Sequence, residues 1–144
     1  MGDGLAAANV NRSYSLAATS IAIFMFILFF MYPRVVSGEI NTLLFQAALV
    51  VMSVATFCFV FASFYYYCSS AGGRIDDAER ALFSRRADCC WLVGYTLLFL
   101  DPSLILLAIR LFIVASTWFV LWVVYVLFVI RYFPKVQTVR QSSV

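Results

Sequence analysis

Three long apolar runs constrain the fold of this chain more than any other feature. They cover residues 15–32, 42–68 and 89–130, with no charged side chain in the first two runs. A helix needs about 20 apolar residues to cross a hydrocarbon layer roughly 30 Å thick. The first two runs each fit one crossing, whereas the third, about 63 Å long as a helix, fits two. The sequence therefore predicts an all-α fold, an integral membrane four-helix bundle.

The composition agrees with this prediction. Apolar residues make up 65% of the chain and charged residues only 12%, whereas charged residues are near a quarter of a soluble domain. The net charge of +3 is small and scattered, so we expect no nucleic-acid partner. The chain contains no histidine, which removes imidazole as a ligand for haem, zinc or copper. We therefore expect no cofactor and no metal site.

Basic residues predict which way the chain crosses the membrane, because short cytoplasmic loops are enriched in Lys and Arg. Eight of the 10 basic residues precede the first span, separate the second from the third, or follow the fourth. Only Arg34 and Arg110 fall on the other side. We therefore expect the terminal segments, 1–14 and 132–144, and the middle loop, 69–88, to be cytoplasmic. The plasma membrane or a cell inner membrane is the expected location.

The position of the turn inside the third run is ambiguous. Asp is a good helix N-cap and Pro is favoured at the first helical position, so we prefer a turn at residues 101–103. The competing register continues the third helix through a proline kink and turns at residues 108–110, where no turn-forming residue occurs. With the preferred turn, the four spans are about 15–32, 42–68, 84–101 and 103–131.

Asp101, Arg110 and Glu39 are the candidate functional charges. An ionisable side chain at membrane depth costs at least about 2.5 kcal/mol on insertion scales, so it usually has a partner or a role. In a structural interpretation, Asp101 caps a helix while the long side chain of Arg110 extends toward the headgroups, Asp101 or Glu39. In a functional interpretation, Asp101 and Arg110 belong to an ion or solute pathway.

The segment at residues 69–90 is the largest stretch outside the apolar runs. We expect Asp76 to cap a short amphipathic helix and to pair with Arg80 one turn later. Arg80, Arg85 and Arg86 are candidate contacts for anionic lipid or for a protein partner. The alternative is a solvated connector that touches the headgroups.

Residue types needed for catalysis in a membrane are missing from the sequence. Paired aspartates need two acids at depth, whereas only Asp101 lies inside an apolar run. A serine nucleophile has no histidine to activate it, and activation by lysine has only Lys135 in the tail. The adjacent Cys89 and Cys90 do not form a C-x-x-C motif. We therefore expect a non-enzymatic protein.

Small residues predict where helices approach one another, since lipid offers no hydrophobic contrast. They include Ala18 with Ala22, the heptad-spaced Ala48, Ala55 and Ala62, then Gly94, and Ala115 with Ser116. The fourth span is bulky nearly all round, which favours contact with lipid or a partner subunit over the centre of a narrow bundle.

Together these features predict a membrane protein that acts through protein contacts. We expect an oligomerising or accessory subunit whose partner is another membrane protein or a further copy of the chain. The alternative is a small homo-oligomeric ion channel or solute transporter. A single bundle of this size closes around its own side chains, so a pore would form between copies.

Overall fold

A computed structural model describes the backbone at residues 2–70 and 76–141, and the side chains at 7–70, 76 and 78–132. Within these residues the chain forms four helices, and no strand occurs. The prediction of an all-α fold is confirmed. The helices are α1 (Gly2–Val36), α2 (Thr42–Ser70), α3 (Asp77–Ala108) and α4 (Phe112–Gln141).

Each of the four helices contains a segment that is long and apolar enough to cross a membrane. The segments are Ala7–Val36, Thr42–Ser70, Ala78–Ala108 and Phe112–Tyr132. α1 and α3 begin well before the apolar runs that predicted them, because the polar residues preceding those runs continue the helices. The apolar segments of α1 and α3 are each about 45 Å long, which exceeds a hydrocarbon layer of roughly 30 Å.

The turn between α3 and α4 lies at residues 109–111. The preferred turn at residues 101–103 is therefore wrong, as are the spans 84–101 and 103–131, and the competing register is correct. α3 continues through Pro102, where it loses only one helical hydrogen bond. Asp101 does not cap a helix; its side chain is only 1% exposed because it lies where α3 packs against α2.

A Schellman motif ends α3, with an arginine in the position that usually holds glycine. The Leu111 N–H donates to the Leu106 carbonyl at 2.9 Å, and the Arg110 N–H donates to the Leu107 carbonyl at 3.1 Å. Arg110 adopts the left-handed conformation, with a φ of 65°. This turn was not preferred from the sequence, because the left-handed residue of such a motif is usually glycine or asparagine.

The end of α1 has the same motif in its usual form. The Glu39 N–H donates to the Arg34 carbonyl at 3.0 Å, and the Gly38 N–H donates to the Val35 carbonyl at 3.1 Å. Gly38 supplies the left-handed residue, with a φ of 79°. The α1–α2 and α3–α4 turns are therefore built alike, at the same end of the molecule.

The core of the fold is the contact between α2 and α3, which run antiparallel. On α3, Ala87, Gly94, Asp101 and Ala108 are buried and recur every seven residues. On α2 the buried side chains recur at spacings of three and four residues. They are Phe45, Ala48, Met52, Ala55, Phe59, Ala62 and Tyr66, and Ser63 is buried beside them.

The closest approach between the two helices is at Gly94. A Cβ added there would lie 3.1 Å from the Cys58 Cβ, 3.1 Å from the Phe59 Cε1 and 3.2 Å from the Ala55 carbonyl oxygen. The expected packing at Ala48, Ala55 and Ala62 and at Gly94 is confirmed. For α1 the prediction was wrong: Ala18 and Ala22 are exposed, and the face that turns inward carries Ser13, Ala17, Ser20 and Ile27.

Of the four helices, α4 has the least contact with the rest of the fold among the described residues. Extensive contacts join α1 to α2, α2 to α3 and α3 to α4, whereas α4 has no comparable contact with α1 or α2 in the described residues. Ala115 is buried against the rest of the fold, but Ser116 is exposed, as is Ile113 at 85%. The arrangement is therefore more open than a bundle that closes on itself.

Candidate functional site

Two of the three candidate charges lie on neighbouring turns at one end of the helices. Glu39 and Arg110 are both exposed, each in the turn that ends a helix. The two turns contact each other directly, since the Asn41 N–H donates to the Ala108 carbonyl at 3.3 Å. Arg34 is exposed on the last turn of α1 at the same end. This end of the molecule therefore presents a small polar surface with two guanidinium groups and one carboxylate.

Asparagine caps α2 beside this surface. The Asn41 Oδ1 accepts hydrogen bonds from the Leu43 N–H and the Leu44 N–H, each at 3.1 Å. These bonds fix the start of α2 and bring Ile40, which is 5% exposed, into contact with the core. The position of Glu39 follows from this anchoring.

Asp101 is separate from the other two charges. It lies nine residues before Arg110, or about 14 Å along the helix. Gly94 contacts Ala55 and Phe59, and a step of seven residues along each of two antiparallel helices places Asp101 opposite Ala48 and Met52. Ala48 is 1% exposed and Met52 is 2% exposed. The carboxyl group is therefore enclosed by apolar side chains.

One oxygen of this carboxyl group has no hydrogen-bond donor. The Asp101 Oδ1 is buried and makes no hydrogen bond among the described residues. Arg110, the nearest arginine along the helix, is exposed at the turn. The structural interpretation of Asp101 as an N-cap is excluded by its place inside α3, so the burial of the carboxyl group needs another explanation.

The backbone carbonyls around Pro102 receive hydrogen bonds from side chains. The Trp118 Nε1–H donates to the Phe99 carbonyl at 2.8 Å, and the Ser103 hydroxyl donates to the Leu100 carbonyl at 2.7 Å. One turn earlier, the Trp122 Nε1–H donates to the Thr96 carbonyl at 2.9 Å. Two indole groups of α4 therefore fasten that helix to the backbone of α3.

The three arginines of the middle segment do not form one surface. Arg85 and Arg86 are exposed, but Arg80 is half-buried and lies seven residues before Ala87, on the face that packs against α2. The Arg80 Nε is buried without a hydrogen-bond partner in the described residues. Asp76 occupies the N-cap position of α3 as predicted, but its side chain makes no capping hydrogen bond.

Two contacts at the opposite end of the helices, next to the middle segment, were not predicted from the sequence. The Arg12 guanidinium lies over the Trp91 ring, 4.9 Å from its centre, and so joins α1 to α3. The Tyr66 hydroxyl donates to the Asp88 Oδ1 at 2.5 Å and joins α2 to α3. The sequence does carry a signal for both contacts. Arg12 and Asp88 lie near the ends of apolar runs, and the aromatic residues Trp91 and Tyr66 lie at the corresponding depth. Arg12 therefore connects α1 to α3, and Tyr66 connects α2 to α3.

The described residues offer little else that resembles a ligand site. No group of three or more Cys, Asp or Glu side chains with metal-binding geometry occurs among them, and all four cysteines are free thiols. An open apolar depression on α1 is lined by Leu28, Phe29, Tyr32 and Pro33. Comparison of the chain with protein-family models, with curated proteins and with solved structures finds no match.

Proposed function

We propose that this chain is a non-enzymatic, multi-pass membrane protein that works as an oligomerising or accessory subunit. Its four apolar helices and its low charge content support a location in a lipid bilayer. The basic residues support an orientation with both termini in the cytoplasm. In this orientation Arg34, Glu39 and Arg110 face the outside, and the membrane is the plasma membrane or a cell inner membrane.

The observation that carries the proposal is that α4 has the least contact of the four helices with the rest of the described fold. α4 packs against α3, and the side chains on its other faces are exposed. The exposed apolar side chains include Val120, Leu121, Val124, Leu127 and Phe128. Association in lipid depends on packing between helices, and a face that the fold itself does not cover is where a partner helix gains the most contact. The partner is a second copy of this chain or another membrane protein.

Cross-linking from α4 tests this proposal. Cysteine at Leu121, in a background without native cysteines, should form cross-linked species of discrete mass in native membranes. Cysteine at Phe29 is the matched control, because Phe29 is equally apolar and 73% exposed, but lies on α1. Discrete products from Leu121→Cys alone support the proposal. Products from neither position, with a monomeric mass in mild detergent, would contradict it.

A homo-oligomeric channel or transporter is the second candidate function. Its support is the pair of exposed charges, Glu39 and Arg110, on contacting turns at one end, where copies around an axis would form a charged ring. Asp101 lies inside the single chain, so such a path would run between copies and not past this carboxyl group. Ion flux into vesicles that is altered by Arg110→Ala would favour the channel. Electrically silent vesicles would favour the accessory role.

Anionic lipid is a further proposed partner at the arginine-rich end. Arg85 and Arg86 are the two exposed candidates there, and Arg80 is excluded as an equal member because its Nε is buried. Replacing Arg85 and Arg86 by glutamine should abolish any preference for anionic over zwitterionic vesicles, and salt should weaken that preference. Arg34→Gln with Arg110→Gln is the matched control at the opposite end.

A further inference from the structure

Three successive carbonyls before Pro102 differ in their hydrogen-bond partners. Phe99 and Leu100 accept from the Trp118 indole and the Ser103 hydroxyl, at 2.8 and 2.7 Å. The carbonyl of Leu98 is the one that would accept from residue 102, but proline has no N–H to donate. No side chain of the described residues donates to it either. Leu98 is therefore left with an acceptor that has lost its helical partner.

Asp101 is placed to reach this carbonyl. A polar side chain in a helix reaches the carbonyls three and four residues earlier, as Ser103 does to Leu100 at 2.7 Å and Thr96 does to Leu92 at 2.8 Å. Leu98 lies three residues before Asp101. The Asp101 Oδ1, itself without a donor, and the Leu98 carbonyl are thus two oxygen acceptors that belong to residues with the spacing of such a bond. Because both atoms are acceptors, a hydrogen bond between them requires a proton on the carboxyl oxygen.

Among the described residues, the surroundings of Asp101 offer no counter-charge. α2 presents Ala48 and Met52 at this depth, and α1 contributes Phe24 and Ile27 to the same apolar cluster. The titratable side chains that pack against this part of α3 include the phenols of Tyr95 and Tyr125, whose rings contact Phe99. An ionised carboxylate without a partner is costly in such a place.

We propose that Asp101 is a proton-binding site, and that the bound proton is donated in a hydrogen bond from the Asp101 carboxyl group to the Leu98 carbonyl. The proton comes from water and converts the carboxylate into a neutral acid; no other bond changes. The neighbouring proline strengthens the site, because it leaves the Leu98 carbonyl without the N–H that it would otherwise accept. This assignment is independent of the proposed subunit role.

Infrared spectroscopy of the purified protein at neutral pH tests the proposal. The carbonyl-stretch band of a protonated carboxylic acid should be present and should be lost in Asp101→Asn. Asp88→Asn is the matched control and should leave the band unchanged, because Asp88 lies near the end of the helices and accepts from Tyr66. In case Asp101→Asn does not fold, isotopic labelling of the aspartate carboxyl carbons should shift the band in the unaltered protein.

Pro102→Ala tests the role of the Leu98 carbonyl separately. The alanine N–H would share the Leu98 carbonyl with the acid, so the hydrogen bond from the acid should weaken and its band should move to the frequency of a more weakly hydrogen-bonded acid. An acid band with the same frequency in Pro102→Ala would overturn the assignment of Leu98 as the acceptor. The absence of an acid band at neutral pH, or its survival in Asp101→Asn, would overturn the proton-binding site itself.

Discussion

The indole nitrogen of Trp122 lies 2.9 Å from the backbone carbonyl oxygen of Thr96 and donates a hydrogen bond to it. Trp118 makes the equivalent bond to Phe99, at 2.8 Å. The two tryptophans are one turn apart on α4, and their acceptors are about one turn apart on α3. This pair of bonds aligns two antiparallel helices without using any polar side chain of α3.

Trp118→Phe combined with Trp122→Phe should weaken the attachment of α4 to α3. Each substitution removes an N–H donor and keeps an aromatic ring, and hydrogen bonds between membrane helices contribute about 0.6 to 2 kcal/mol each. Unfolding in micelles of increasing SDS content would measure the loss. Phe112→Leu is the control, because Phe112 is 60% exposed on the same helix and should change the free energy of unfolding little. Equal effects of the control and the double variant would contradict the role of the two bonds.

Arg110→Gly should stabilise the fold. The residue has a φ of 65°, and the left-handed conformation costs an L-residue with a side chain about 1 to 2 kcal/mol. Part of this gain is offset by the greater freedom of glycine in the unfolded chain, so we expect a net increase of about 0.5 to 1 kcal/mol. The same unfolding assay applies.

Gly38→Ala is the converse experiment, since Gly38 has a φ of 79° in the matching turn of α1. It should lower the free energy of unfolding. A destabilising Arg110→Gly together with a neutral Gly38→Ala would show that these turns do not have the described backbone.

Gly94→Val should loosen the contact between α2 and α3. Even a Cβ at this position would lie 3.1 Å from the Cys58 Cβ and 3.2 Å from the Ala55 carbonyl oxygen, and valine adds two further carbons. Overpacking of this kind costs about 1 to 3 kcal/mol. Ala18→Val is the control, because Ala18 is exposed on α1. Tolerance of valine at both positions would place α2 and α3 further apart than described.

Labelling with a membrane-impermeant thiol reagent should distinguish the two positions considered for the last turn. In a background without native cysteines, Arg110→Cys should react readily because residue 110 is exposed in the turn. Ser103→Cys should not react, because Ser103 is 5% exposed inside α3. The reverse pattern of reactivity would restore a turn at residues 101–103.

The number of helices and the main packing surface were predictable from the sequence, since both follow from apolar length and from small residues at regular spacing. The alanines of α2 and Gly94 of α3 were identified in this way. The position of the α3–α4 turn was not predictable, because the rules for capping apply to each residue in isolation. They favoured Asp101 and Pro102, whereas burial of residue 101 against α2 and the left-handed backbone of Arg110 depend on the whole fold.

The candidate charges were identified, and the alternation of the spans places Glu39 and Arg110 at the same end. The direct contact between their turns was not predicted, because it depends on where α3 ends. The partial burial of Arg80 was not predicted, for a related reason. Three arginines in a short basic segment suggest one surface, but the seven-residue spacing from Arg80 to Ala87 turns the first of them toward α2.

The most direct test of the whole account is the position of the two chain ends relative to the membrane. In sealed vesicles of known orientation, tags placed at the first and last residues of this chain would be probed with a protease on one side only. Four crossings predict that both tags are cut from the cytoplasmic side and that both are protected from the other. One tag cut from each side would require an odd number of crossings and would contradict the account.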